Sequence, residues 1–152
     1  MTGTVVPKNP DFEARTRESF ARQGVMGLLG AVLERVEPGL VQIALPFRQE
    51  LSQQHGFFHA GVMATIADSA AGYAAFTLFP ADAAVLTIEY KINLMAAADG
   101  ERLTAVGRVL RTGRTLTVCQ FDVHVEKQGR VTHCATGIET LIALVGRAGV
   151  RD

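Results

Sequence analysis

A single carboxylate interrupts the longest apolar stretch of the chain. From Gln53 to Pro80 the sequence reads QQHGFFHAGVMATIADSAAGYAAFTLFP, and Asp68 is its only formally charged residue. Alanine, with Leu and Met, favours helix here, and no proline intervenes before Pro80. A helix that begins near His59 leaves its first amides, at Ala60, Gly61 and Val62, without helical partners and at the positive end of the helix dipole. Ala60 and Gly61 have little or no side chain to block approach, so these amides suit a ligand oxygen that carries negative charge. Asp68 lies seven residues after Gly61, on nearly the same helix face but about 10 Å further along the axis. One carbonyl cannot touch both groups of one helix. If both act on one substrate, Asp68 comes from a second copy of the chain, and the sites lie across a dimer interface.

Blander roles stand beside these. Water or a local side chain can cap the helix-start amides, and Asp68 can be a structural carboxylate held by Thr65, Ser69 or a backbone amide. His55 and His59 have i, i+4 spacing, but Gly56 between them and the lack of a third ligand argue against a metal site. His59 is better suited to fixing the turn into the helix than to acting as a base. No GxSxG elbow, GxGxxG pattern or phosphate-binding GxxxxGK[ST] loop occurs.

The elements that must position these groups follow from pattern and turns. A helix apolar on nearly all sides must be wrapped on nearly all sides. The chain has 152 residues, 48% of them hydrophobic, enough for one domain with a full core. A helix is expected from Pro10 to Gln23, ended by Gly24. Gly27–Glu37 and Leu40–Phe47 read as a hairpin about Pro38-Gly39, with Val41, Ile43 and Leu45 on one face. After the central helix come four strands: Ala83–Met95, Glu101–Leu110, Thr115–Glu126 and Arg130–Leu141. Alternation in the first puts Leu86, Ile88, Tyr90, Ile92 and Leu94 on one face, with Thr87, Glu89, Lys91 and Asn93 on the other. Arg111–Arg114 reads as a basic turn. The connections are too short for crossover helices, so the strands are antiparallel. The expected class is α+β, one domain over 1–152 with an ordered core at about 11–145 and loose ends at 1–10 and 146–152.

Fifteen acidic residues balance fifteen basic ones, so no net charge draws the protein to nucleic acid or an anionic membrane. Cys119 and Cys134 fall inside strands and read as buried thiols, without CxxC or zinc spacing. Neither a secretory leader nor a membrane span is expected, and a cytoplasmic location is the default.

The chain from about Phe20 to Leu141 resembles the hotdog-fold acyl-CoA thioesterases of the PaaI type. Their signature is an Asn, a Gly three residues on, His-Gly-Gly opening the long helix, and an Asp nine residues after the His. Here Gln53, Gly56, His59-Ala60-Gly61 and Asp68 occupy those places. Gln53 replaces the usual Asn with one more methylene, and Ala60 replaces the first Gly but keeps its N–H. Thr87 falls where a Ser or Thr commonly positions the attacking water. Arg111-Thr-Gly-Arg-Thr-Leu116 and Ala135-Thr-Gly137 also match the family. The resemblance implies a hotdog domain, a long helix wrapped by a curved antiparallel sheet. It implies hydrolysis of a medium-chain, long-chain or aromatic acyl-CoA, with no cofactor, since coenzyme A is part of the substrate. The helix-start amides of Ala60 and Gly61 receive the thioester oxygen, the partner chain's copy of Asp68 acts on water or carbonyl, and Gln53 and Thr87 orient them. Phe57, Met63, Tyr73 and Phe76 are candidates to line the acyl slot, and Arg111 and Arg114 to meet the coenzyme A phosphates. A homodimer paired through Ala83–Met95, or a dimer of dimers, is expected. The alternatives are a hotdog hydratase or dehydratase using His59 and Asp68, and a non-catalytic acyl-CoA-binding protein.

Overall fold

The structure, a computed structural model, describes residues 5–150. Residues 1–4 and 151–152, parts of the two expected tails, lie outside the described residues. Helices α1 (Phe12–Arg22) and α2 (Gly24–Leu29) precede the hairpin β1 (Val32–Glu37) and β2 (Leu40–Pro46). A 3₁₀ turn at Gln49–Leu51 leads to α3 (Ala60–Phe76), followed by β3 (Ala83–Leu94), β4 (Arg102–Thr112), β5 (Leu116–Lys127) and β6 (Arg130–Val145). The six strands among the described residues form one antiparallel sheet in the order β1-β2-β4-β5-β6-β3. The sheet curves around α3, the expected α+β hotdog arrangement.

The sheet approaches α3 closely because the helix is built from small residues. Ala67, Ala70, Ala71, Ala74 and Ala75 are all fully buried. Val41, Ile43 and Leu45 of β2 pair with Gly107, Ala105 and Leu103 of β4, and these apolar side chains have no solvent exposure. At Gly107 a Cβ atom would lie 2.4 Å from the Ala70 carbonyl, so the strand backbone rests directly on the helix backbone.

Three sequence expectations need correction. Gly24 does not simply end α1: it opens α2, and only the later part of Gly27–Glu37 is strand. Met26, buried to 1% exposure, anchors that short helix into the core. Second, Asn9 is buried rather than part of a loose tail; its side chain accepts from the Asp11 N–H at 3.1 Å and its carbonyl from the Phe12 N–H at 3.2 Å. Arg111, third, belongs to β4 and not to the turn.

A further departure shapes the site. A bulge at Ile88 breaks the alternation of β3: Thr87 stands opposite Leu141 and Tyr90 opposite Glu139, with Ile88 and Glu89 between them on one strand against Thr140 alone on the other. Residues directly opposite share a face, so Thr87 and Tyr90, though exposed themselves, lie on the same sheet face as buried Leu141 and Glu139. Thr87 thus leaves the expected polar face, and Leu86 separates from Tyr90, Ile92 and Leu94.

Candidate active site

The helix start is held by its own N-cap. The loop before it closes with a Ser52–Phe58 bridge and with Gln53 N–H donating to Phe57 O at 2.9 Å. Gly56 sits at φ +83°, a conformation that L side chains rarely adopt, and its N–H donates to Gln53 O at 3.0 Å. The Gln53 side-chain oxygen accepts from the His55 N–H. His59, in extended conformation, carries the cap: its Nδ1 accepts from Gly61 N–H at 2.9 Å and its carbonyl from Val62 N–H at 3.0 Å. The expectation of several open amides is therefore corrected. Only Ala60 N–H is left without a partner among the described residues, and Gly61 N–H becomes available only if the His59 ring turns away. The cap assigns the ring its Nε2–H tautomer, since Nδ1 is the acceptor.

Two turns along α3, Asp68 is half-buried and lines a cleft of ≈ 200 Å³ with Gln23, Ser69, Tyr73 and Thr87. Thr87 Oγ1 donates to Asp68 Oδ1 at 2.7 Å and lies 2.9 Å from Glu139 Oε1. The side chains expected to hold Asp68 do other work: Thr65 donates to Gly61 O at 2.8 Å, and Ser69 to Gln23 Oε1 at 3.2 Å. The sequence-chosen Asp68 and Thr87 thus meet within one chain, while Ala60, Gly61, His59 and Gln53 sit at the far end of the same helix.

Two residues here were missed. Glu139 is fully buried, and burial, then the charge of Asp68, push its carboxyl up to about 9. Its place in an apolar strand, Ile138-Glu139-Thr140-Leu141, was the available signal. Gln23, at the α1–α2 joint, had none, because its approach to Ser69 depends on how the short helices dock.

Other candidates separate from the cleft. Of the proposed acyl-slot residues, Tyr73 lines it, but Met63 and Phe76 are core side chains. Phe76 packs beneath the Arg15 guanidinium at 4.0 Å. Arg111 and Arg114 are exposed, and Arg114 lines a different hollow, with Lys8 and Phe79, that shares no residue with the Asp68 cleft. Burial pushes the thiols of Cys119 and Cys134 up to about 12 and about 11, so neither is a nucleophile. Among the described residues no cluster could hold a metal ion, and no helix is long and apolar enough to cross a membrane.

The architecture, with a carboxylate on the long helix and a bare amide at its start, defines a hotdog protein of thioesterase type. The thioesterase superfamily model matches residues 55–132, over half of the chain. A solved thioesterase family protein from Silicibacter pomeroyi is 45% identical, with a TM-score of 0.88 over 89% of this chain and 99% of its own. The PaaI protein of the E. coli phenylacetic acid degradation operon shares the fold at 16% identity, with a TM-score of 0.80 over 90% of this chain and 95% of its own. The 1,4-dihydroxy-2-naphthoyl-CoA hydrolase of Listeria monocytogenes is 23% identical over 76% of this chain and 96% of that protein. The chain belongs to the thioesterase superfamily, and it is a hydrolase of that class.

Proposed function

We propose that the protein hydrolyses acyl-CoA thioesters, with medium-chain, long-chain or aromatic acyl groups, at two sites shared across a homodimer. The observation that carries this reading is Asp68, a carboxylate bonded by Thr87 yet open to a cleft beside the edge strand β3. The thioester oxygen accepts from Ala60 N–H of one chain, joined by Gly61 N–H once the His59 ring moves. Those donors stabilise the charge that develops on attack. Asp68 of the other chain activates water or attacks the carbonyl itself, with Gln53 and Thr87 orienting the reactants. Arg111 and Arg114 are assigned to the coenzyme A phosphates on charge alone. The naphthoyl-CoA substrate of the Listeria relative supports an aromatic acyl group as one of the classes to test. The capping role of His59 Nδ1 counts against hydratase chemistry, which needs that ring free to move protons.

The test is a thiol-release screen over short, medium, long and aromatic acyl-CoAs. Asp68→Ala should lower kcat by about 10²–10⁴ while the circular dichroism spectrum is retained. Undiminished turnover by that variant would refute the assigned role.

A further inference from the structure

Thr87 lies between two carboxyl groups but has one hydroxyl proton. It is 2.7 Å from Asp68 Oδ1 and 2.9 Å from Glu139 Oε1, so one contact is completed by a proton carried on a carboxyl. Solvation decides which. Asp68 is half-buried at a cleft, whereas Glu139 has no exposed surface and its Oε2 has no hydrogen-bond partner among the described residues. A carboxylate in that position would leave a charged oxygen desolvated, and a neutral acid avoids most of that cost. Among the described residues no cation contributes to the field at Glu139. Asp68 approaches from α3, near enough that its charge and a direct carboxyl–carboxyl contact both favour the protonated form of Glu139; Cys119 comes from β5, and Tyr90 and Thr87 from β3.

We propose that Glu139 is a positioning residue for Asp68: it stays protonated, donates through Oε1 to the Thr87 hydroxyl, and commits the only Thr87 proton to Asp68. This rests on the assignment of Asp68 as the reacting carboxylate. The chain of donors fixes one Asp68 oxygen and sets the angle at which the carboxylate meets the cleft. Deprotonation of Glu139 reverses the arrangement, because two carboxylates then compete for one hydroxyl proton.

The test reads protonation and turnover separately. In infrared difference spectra the wild type should show a protonated-carboxyl C=O stretch at neutral pH, lost as pH passes about 9 and absent in Glu139→Gln. In Asp68→Asn the band should vanish at lower pH, because the neighbouring charge that favours the acid is gone. In pH profiles of kcat, Glu139→Gln should stay within about threefold of wild type, since its amide still donates, and should lose the alkaline fall. Glu139→Leu, which cannot donate, should lose about tenfold or more relative to wild type below about pH 9, and the difference should narrow above it as wild-type Glu139 also loses its proton. An absent band, a band indifferent to Asp68→Asn, or an alkaline fall unchanged in Glu139→Gln overturns the proposal. Full activity of Asp68→Ala would instead strike the functional assignment, leaving the infrared result to decide the protonation of Glu139.

Discussion

The N-cap of α3 shows how one side chain decides what a helix start can bind. His59 takes the Gly61 amide and leaves that of Ala60. Ala60 is the first helical residue, the one position where proline fits and removes nothing but the N–H. The preceding residue, His59 at φ −67° and ψ 140°, already has the extended conformation that proline demands. Ala60→Pro should therefore fold normally and lose about 10²–10³ in kcat, measured by thiol release beside thermal melts. At the other end of the site, Glu139 links activity to stability. Its folded-state carboxyl titrates at about 9 against an ordinary 4.5, so the folded protein holds a proton that the unfolded chain gives up. That contribution is fully present below the ordinary value and declines as pH rises towards about 9. The melting temperature of Glu139→Gln should accordingly gain on wild type as pH is raised from about 5 to about 9, in matched thermal melts. A constant difference across that range would remove the buried acid from the account.

Among the elements, β3 and α3 are coupled by one irregularity and one close contact. Without the Ile88 bulge, Thr87 and Tyr90 would lie on opposite faces, and Thr87 would not reach Asp68 while Tyr90 stood opposite Glu139. The bulge is a device that aims a side chain at the site, a common use of an extra residue near a sheet edge. The contact is that of β4 on α3 at Gly107. Gly107→Ala places a methyl carbon 2.4 Å from the Ala70 carbonyl and 2.5 Å from the Ala71 nitrogen, neither of which can swing aside. It should cost about 1–3 kcal/mol in urea denaturation. Gly27→Ala in α2, with nothing within 4 Å of the new carbon, should be neutral or stabilising by about 1 kcal/mol. The pair separates packing from backbone propensity at two glycines of one chain.

On the scale of the molecule, the sheet ends in a strand that invites pairing. β3 is twelve residues long, lies at the edge, and leaves Leu86, Ile88, Tyr90 and Leu94 about half exposed. A long apolar edge of this kind needs cover, and a second copy paired through β3 supplies it. Such pairing is the proposed route by which Asp68 of one chain meets the helix start of the other. Mixing offers a direct check. Asp68→Ala and Ala60→Pro each disable both sites of their own homodimer, but a mixed dimer joins one intact Asp68 to one intact Ala60. Refolding the two variants together should restore about a quarter of wild-type activity, because half the dimers are mixed and each has one good site. No recovery would mean that both groups act within a single chain.

The division between what was readable and what was not follows physical range. Local rules sufficed for α3 and its start at His59, because alanine content, the missing proline and a capping side chain act within a few residues. The same holds for the antiparallel order of the late strands, which short turns impose, and for the isolation of Asp68 among apolar neighbours. The hotdog reading rested on the spacing of Gln53, Gly56, His59, Gly61 and Asp68 along one segment. The bulge at Ile88 escaped, since strict alternation fitted β3 equally well until its register with β6 was known. So did Glu139, seventy-one residues from Asp68 in sequence, whose meaning lies in the carboxylate and hydroxyl it meets. Sequence thus determined the helix, its carboxylate and the family. Tertiary structure alone decided which amide stays open, which hydroxyl reaches Asp68 and which second carboxyl shares it, because those depend on register and burial between distant strands, and no local pattern encodes either.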